Sequence, residues 1–200
     1  MLEDLNIYLF NLINHTLHNG PLDILMPIIT KLANTEVLFL LVIISIIAGI
    51  IIKNENIRHI GILCLVGLIL AMGVTFLLKH GIHEPRPYIT LSDVNLLVKA
   101  DDPYYSFPSG HSTRIFVIIT ILIFNIKSLF KNNTKLISLI LGIIGVIILI
   151  SRVYVGDHYP FDVIGGAILG TIIGLITNYY LKEYILNISD KILNYFKLIK

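Results

Sequence analysis

Ser151-Arg152-Val153-Tyr154-Val155-Gly156-Asp157-His158-Tyr159-Pro160-Phe161-Asp162 is a polar hairpin set between two long apolar runs, 135–151 and 161–181. A helix needs about 20 apolar residues to cross a bilayer core, so each run reads as a membrane span or close to one. A hairpin carrying Arg152, Asp157, His158 and Asp162 must then lie at the membrane interface or in a water-filled mouth. Ionisable groups at such places are costly and usually functional. Working outward, 36–53, 57–79 and 112–130 give three further apolar runs. The fold class is therefore all-α, an integral membrane bundle.

Composition agrees. The 200 residues are 56% hydrophobic and 14% charged, whereas soluble domains carry about 25% charged residues. A net charge of +2 gives no reason to expect a nucleic-acid partner. Cys64 stands alone in an apolar run, which excludes a disulfide framework. Trp is absent, which leaves Tyr88, Tyr104, Tyr105, Tyr154, Tyr159, Tyr179 and Tyr180 as the interfacial aromatics.

The N-terminal region is less regular. Asn6, Asn11, Asn14 and His15 interrupt 5–17, Asn19-Gly20-Pro21 breaks the chain, and 22–33 is apolar but short. This reads as an interfacial piece plus a short or re-entrant helix, with one broken span as the alternative. The tail, 182–200, places Ile185, Leu186, Ile188, Ile192, Leu193 and Phe196 at helical spacing, as an interfacial anchoring helix does. Gly166, Gly170 and Gly174 recur every four residues and are expected to let helices pack closely inside the bundle. No repeat or linker divides the chain, so 1–200 is expected to form one domain, with its motif core at 79–162.

Alternating spans place Lys53, Arg58, Lys127, Lys131, Lys135, Lys182, Lys191, Lys197 and Lys200 on one side. The positive-inside rule makes that side cytoplasmic. Lys79, Arg86 and Arg152 then face the extracytoplasmic side.

Three motifs carry chemistry. The first is Lys79 with Arg86-Pro87. Lys79 alone reads as a snorkelling anchor, but with Arg86 it can converge on a dianion, a planar fork beside a point charge. The second is Pro108-Ser109-Gly110-His111, at the start of a span. Ser109 suits an N-cap, and the unpaired N–H groups of a helix start attract anions. His111 lies in that first turn. The third is the opening hairpin. Pro160 suits the first turn of a helix, which puts Asp162 one turn from His158. A carboxylate on one ring nitrogen fixes the tautomer and frees the other nitrogen to attack. Asp157 reads as a second orienter or a bystander. His80, His83 and Glu84 lack the ligand set of a metal site, so neither a metal nor another cofactor is expected.

Together these motifs resemble the type 2 phosphatidic acid phosphatase family, position by position through 79–162. The resemblance implies a metal-independent bundle of about six transmembrane helices, and the positive-inside rule puts its active site at the extracytoplasmic membrane interface. It implies His158 as the nucleophile that forms a phosphohistidine, Asp162 as its orienter and His111 as the acid for the leaving oxygen. Lys79, Arg86, Arg152, Ser109 and the Gly110 backbone would hold phosphate oxygens. The runs 106–113 and 151–163 are further similar to bacitracin-resistance-type undecaprenyl-diphosphate phosphatases. A lipid diphosphatase that recycles a polyprenyl glycan carrier is therefore expected, with a bilayer and a lipid phosphate or diphosphate as partners. A phosphatidic acid or phosphatidylglycerophosphate phosphatase is the alternative. A non-catalytic lipid-phosphate binder or transporter is the alternative from another class, although binding alone needs no nucleophile. The sequence leaves the oligomeric state open.

Overall fold

The computed structural model describes residues 1–100, 102–196 and 198. Among them every regular element is helical. The order is α1 (Leu2–Asn11), α2 (Gly20–Lys31), α3 (Thr35–Ile51), α4 (Glu55–Ile82), the single turn α5 (Pro87–Thr90), α6 (Gly110–Leu129), α7 (Thr134–Tyr154), α8 (Pro160–Ile176) and α9 (Lys182–Tyr195). π-helical turns follow α1 at Leu12–Thr16 and α8 at Thr177–Leu181. The five apolar runs of the sequence are α3, α4, α6, α7 and α8.

Four helical stretches are long and apolar enough to cross a membrane: Glu55–Thr90, Gly110–Leu129, Thr134–Tyr154 and Pro160–Tyr195. A fifth arises if α2 and α3, bent by 53° at their junction, act as one broken span or re-entrant loop. The irregular N-terminal reading thus resolves into α1 with its π turn, and α2 leaning on α7. Side chains such as Leu40, Ile44, Leu77, Leu139, Ile143 and Ile168 are exposed on the outer faces. An apolar surface of that extent suits a lipid environment. Inside the bundle, Leu63, Leu68, Val117, Ile121 and Ile148 are buried.

The glycine stripe sets the closest helix pair. A Cβ on Gly166 would stand 2.6 Å from the Ser109 carbonyl, and one on Gly174 would stand 2.7 Å from the Thr120 Cβ. Without side chains at these positions, α8 lies directly against α6, as small residues at this spacing allow. The two N-termini are thereby joined, and the Ser109 N–H donates to the Asp162 carbonyl at 3.0 Å. The chain alternates so that the starts of α3, α6 and α8 and the ends of α4 and α7 share one end of the bundle. All three motifs gather there.

The opposite end is tied separately. Buried Arg58 bonds Asp190 of α9 at 3.2 Å, and Asn56 of α4 donates to the Ser128 carbonyl of α6 at 3.2 Å. Lys182 reaches Asn125 at 2.7 Å. The tail helix α9 thus continues α8 and docks on α4, and none of its residues is buried. Lys197 and Lys200 lie outside the described residues.

Candidate active site

The third motif builds the centre. α7 ends at Tyr154, and Pro160 opens α8. Between them Gly156 adopts φ +82°, where a side chain would be strained and would stand 2.9 Å from the Asn95 carbonyl. Buried Asn14 clips this hairpin to the loop after α5. Its amide donates to the Tyr154 and Asn95 carbonyls at 2.8 and 3.0 Å, and its oxygen accepts from the Asn95 N–H at 2.9 Å. The Asn-rich N-terminal piece therefore braces the motif hairpin, a contact across 140 positions that periodicity cannot reveal.

His158 is 2% exposed and bracketed on both ring nitrogens. Nδ1 lies 3.4 Å from Asp162 Oδ2 and 3.3 Å from Ser106 Oγ. Nε2 lies 3.2 Å from Arg86 NH1. A guanidinium only donates, so Nε2 accepts with its lone pair and Nδ1 carries the hydrogen. That is the tautomer the His–Asp spacing predicts. Asp162 Oδ2 also accepts from Ser106 Oγ at 2.5 Å and from the Tyr159 N–H at 2.8 Å. These bonds fix the carboxylate before the ring meets it.

The cations converge around Asp157, whose side chain is fully buried. Its Oδ2 accepts from Arg86 NH1 at 2.8 Å and from Arg152 NH2, and lies 3.4 Å from His158 Nε2. Asp157 is therefore the carboxylate that joins both arginines in front of the histidine, rather than a bystander. Arg152 NH1 also donates to Thr30 of α2 at 2.7 Å. Arg86 donates through Nε to the Asp102 carbonyl at 2.8 Å and through NH2 to the Tyr105 carbonyl at 3.4 Å. The Lys79 ammonium donates to that same Tyr105 carbonyl. Lys79 thus joins the cluster and is not a snorkelling anchor.

Ser109 occupies the N-cap of α6, but its hydroxyl makes no capping bond. The Ser109 oxygen and Arg152 Nε are both buried without a partner among the described residues. Native proteins rarely leave such atoms unpaired, and these two donors lie at the same end of the bundle as the three motifs. His111 stands apart from the bonded network. Its Nε2 lies 2.9 Å from Asn34 Oδ1, at the N-cap of α3. Gly110 lies beside the Arg114 guanidinium. His80 and His83 take part in ring stacking with Tyr105 and Tyr104.

The family model described as the PAP2 superfamily matches residues 60–185. The chain belongs to the PAP2 superfamily. Undecaprenyl-diphosphatase BcrC of Bacillus subtilis (strain 168) is 33% identical over 160 residues, covering 80% of this chain and 75% of that one. An undecaprenyl-diphosphatase of Sulfolobus acidocaldarius is 31% identical over 175 residues, covering 86% and 76%. The crystal structure of the transmembrane PAP2 type phosphatidylglycerolphosphate phosphatase from Bacillus subtilis superposes with a TM-score of 0.74 at 28% identity, covering 91% and 87%. This PAP2 chain is thus a membrane phosphatase.

The electrostatics of His158 give a pH prediction. Burial, followed by the charges of Arg86, Arg152 and Lys79, holds its imidazole well below the ordinary value of 6.5. A ring held neutral keeps the Nε2 lone pair free. If His158 takes part in the reaction as an unprotonated base or nucleophile, one limb of the kcat/KM profile should lie below pH 6.5, and both limbs at or above it would contradict that role. The sign for stability follows. Below pH 6.5 the unfolded chain binds a proton that folded His158 does not, so stability falls as the pH drops through that value. Thermal unfolding of detergent-solubilised protein checks the direction.

Proposed function

We propose that this protein hydrolyses a polyprenyl diphosphate of the undecaprenyl type to its monophosphate, through a phosphohistidine on His158. The observation that carries the reading is the bracketed ring. Asp162 sits at Nδ1, and a lone pair at Nε2 faces Arg86 and the Arg152 side. Nε2 attacks the terminal phosphorus, and the bond to the bridging oxygen breaks. His111 gives that oxygen its proton, and the lipid monophosphate leaves. Water then attacks the phosphorus while His111 takes up its proton, the phosphorus–nitrogen bond breaks with its electron pair returning to Nε2, and orthophosphate departs with His158 restored. Phosphoryl transfer is mostly positioning and charge neutralisation. Lys79, Arg86, Arg152, Ser109 and the Gly110 N–H supply both, and no metal enters the sequence of steps.

The lipid chain has a place to lie. A cavity of about 430 Å³ is lined by Leu38, Val42, Ile60, Cys64, Ile115 and Ile148, among other apolar residues. Leu38 lies one turn into α3 beyond Asn34, and Ile148 lies one turn of α7 before Arg152. The cavity thus approaches the site from the membrane interior. Two relatives that cover most of the chain carry the undecaprenyl-diphosphatase name. Lys53, Arg58, Lys127, Lys131, Lys135 and Lys182 sit toward the end away from the motifs, which supports an extracytoplasmic site under the positive-inside rule. The described residues are read as one domain.

The test is phosphate release by detergent-purified protein from undecaprenyl diphosphate and from phosphatidic acid, with EDTA present. The diphosphate should be favoured at least ~10-fold in kcat/KM, about 1.4 kcal/mol of transition-state preference, without loss in EDTA. Equal or reversed preference would instead support the glycerolipid reading, which the likeness to the phosphatidylglycerolphosphate phosphatase favours.

A further inference from the structure

We infer that Arg114 is the residue that selects diphosphates, by holding the lipid-proximal phosphate between the histidine pocket and the apolar cavity. This rests on the lipid-diphosphatase reading above. The other cations of the site are already bonded. Arg86 and Arg152 share Asp157, Arg152 also holds Thr30, and Lys79 holds the Tyr105 carbonyl. Arg114 forms no hydrogen bond or ion pair among the described residues; its buried Nε, like that of Arg152, has no partner, and the Glu36 carboxylate acts on it only through space. A half-buried guanidinium whose counter-charge, Glu36, is not bonded to it keeps its donors free for an incoming anion.

Its position suits a second phosphate. Arg114 lies one turn into α6 from Gly110, and its NH1 stands 2.9 Å from where a Gly110 Cβ would be. The guanidinium therefore covers the helix start that is assigned to the transferred phosphate. The next residue, Ile115, lines the apolar cavity. His111, the proposed donor to the bridging oxygen, lies one turn back along the same helix. Along α6 the backbone runs from the phosphate loop through His111 to Arg114 and Ile115, and the Arg114 side chain turns back so that its guanidinium stands beside Gly110. A lipid diphosphate with its chain in the cavity and its terminal phosphate at the loop carries a second phosphate next to the first, within the reach of a guanidinium beside Gly110. A lipid monophosphate has no group at the Arg114 position. A planar fork suits a phosphate with two free oxygens, and lysine would keep only the charge.

The experiment compares wild type, Arg114→Gln and Arg114→Lys in detergent. It measures kcat/KM for undecaprenyl diphosphate and phosphatidic acid, and inhibition by methylenediphosphonate and by orthophosphate. Arg114→Gln should lower the diphosphate-to-monophosphate ratio of kcat/KM by about tenfold or more, with Arg114→Lys in between. It should weaken methylenediphosphonate inhibition much more than orthophosphate inhibition. Equal losses on both substrates and both inhibitors would overturn the assignment and make Arg114 a general or structural residue. The wild-type substrate ratio separately reports on the diphosphatase reading. If wild type shows no diphosphate preference, that reading fails, and the two inhibitors still decide whether Arg114 recognises a second phosphate. Unchanged methylenediphosphonate inhibition in Arg114→Gln overturns the proposal in either case.

Discussion

Replacing His158 with alanine should cut phosphate release by at least about a thousandfold, the scale on which removing a covalent nucleophile acts. The prediction follows from how fully the ring is committed. His158 is nearly inaccessible, its Nδ1 is held by Asp162 and Ser106, and its Nε2 faces the arginine cluster. No other described histidine has a carboxylate on one nitrogen and guanidinium groups on the other. Among the described residues His111 bonds only Asn34, so it has no carboxylate to orient it as a nucleophile. Removing the ring also leaves a hole beside Asp157 and Asp162, so the variant must first be shown to keep its helical content and its thermal transition. A folded variant that keeps more than about one per cent of activity would remove His158 from the nucleophile's role.

Asp162→Asn should lose about a thousandfold in kcat while losing little stability, by the same logic that governs a carboxylate–histidine pair elsewhere. The asparagine oxygen can still accept from the Tyr159 N–H and Ser106 Oγ, the bonds that set the start of α8. The lost element is the negative charge at Nδ1. That charge stabilises the ring as it becomes cationic on phosphorylation, and it keeps the hydrogen on Nδ1. An amide can also present N–H to Nδ1 and turn the wrong nitrogen toward the substrate. KM should change much less than kcat, because Asp162 reaches the substrate only through His158. A variant with wild-type kcat, or one that loses activity only by unfolding, would mean that the 3.4 Å contact is structural.

Much of this arrangement was legible in the sequence, and the reason is physical. Spans announce themselves through uninterrupted apolar runs, and helix ends through Pro160, Ser109 and the polar hairpin. His158 lies just before the N-cap of α8 and Asp162 in its first turn, so their four-residue spacing predicts a contact. Arg86 and Arg152 belong to motifs whose spacing within the family fixes their place. The missing residues are those whose partners lie far along the chain. Ser106 meets Asp162 across 56 positions, Asn34 meets His111 across 77, and Asn14 meets Asn95 across 81. No local pattern marks a serine or asparagine for such a task. Asp157 was visible but ambiguous, because a carboxylate beside a histidine reads equally as orienter or bystander. Only the fold brings Arg86 to it from 71 positions away. The π turn at Leu12–Thr16 and the continuation of α8 into α9 also escape periodicity, since both depend on packing against α7 and α4.

The most direct test is to mix the protein with undecaprenyl diphosphate, quench within milliseconds at alkaline pH where phosphohistidine survives, and map the phosphorylated peptide by mass spectrometry. The account predicts a phosphoryl group on His158, abolished in His158→Ala, with none on His111. Turnover without any phosphohistidine, or with the adduct on His111, would contradict the assignment of His158 as nucleophile.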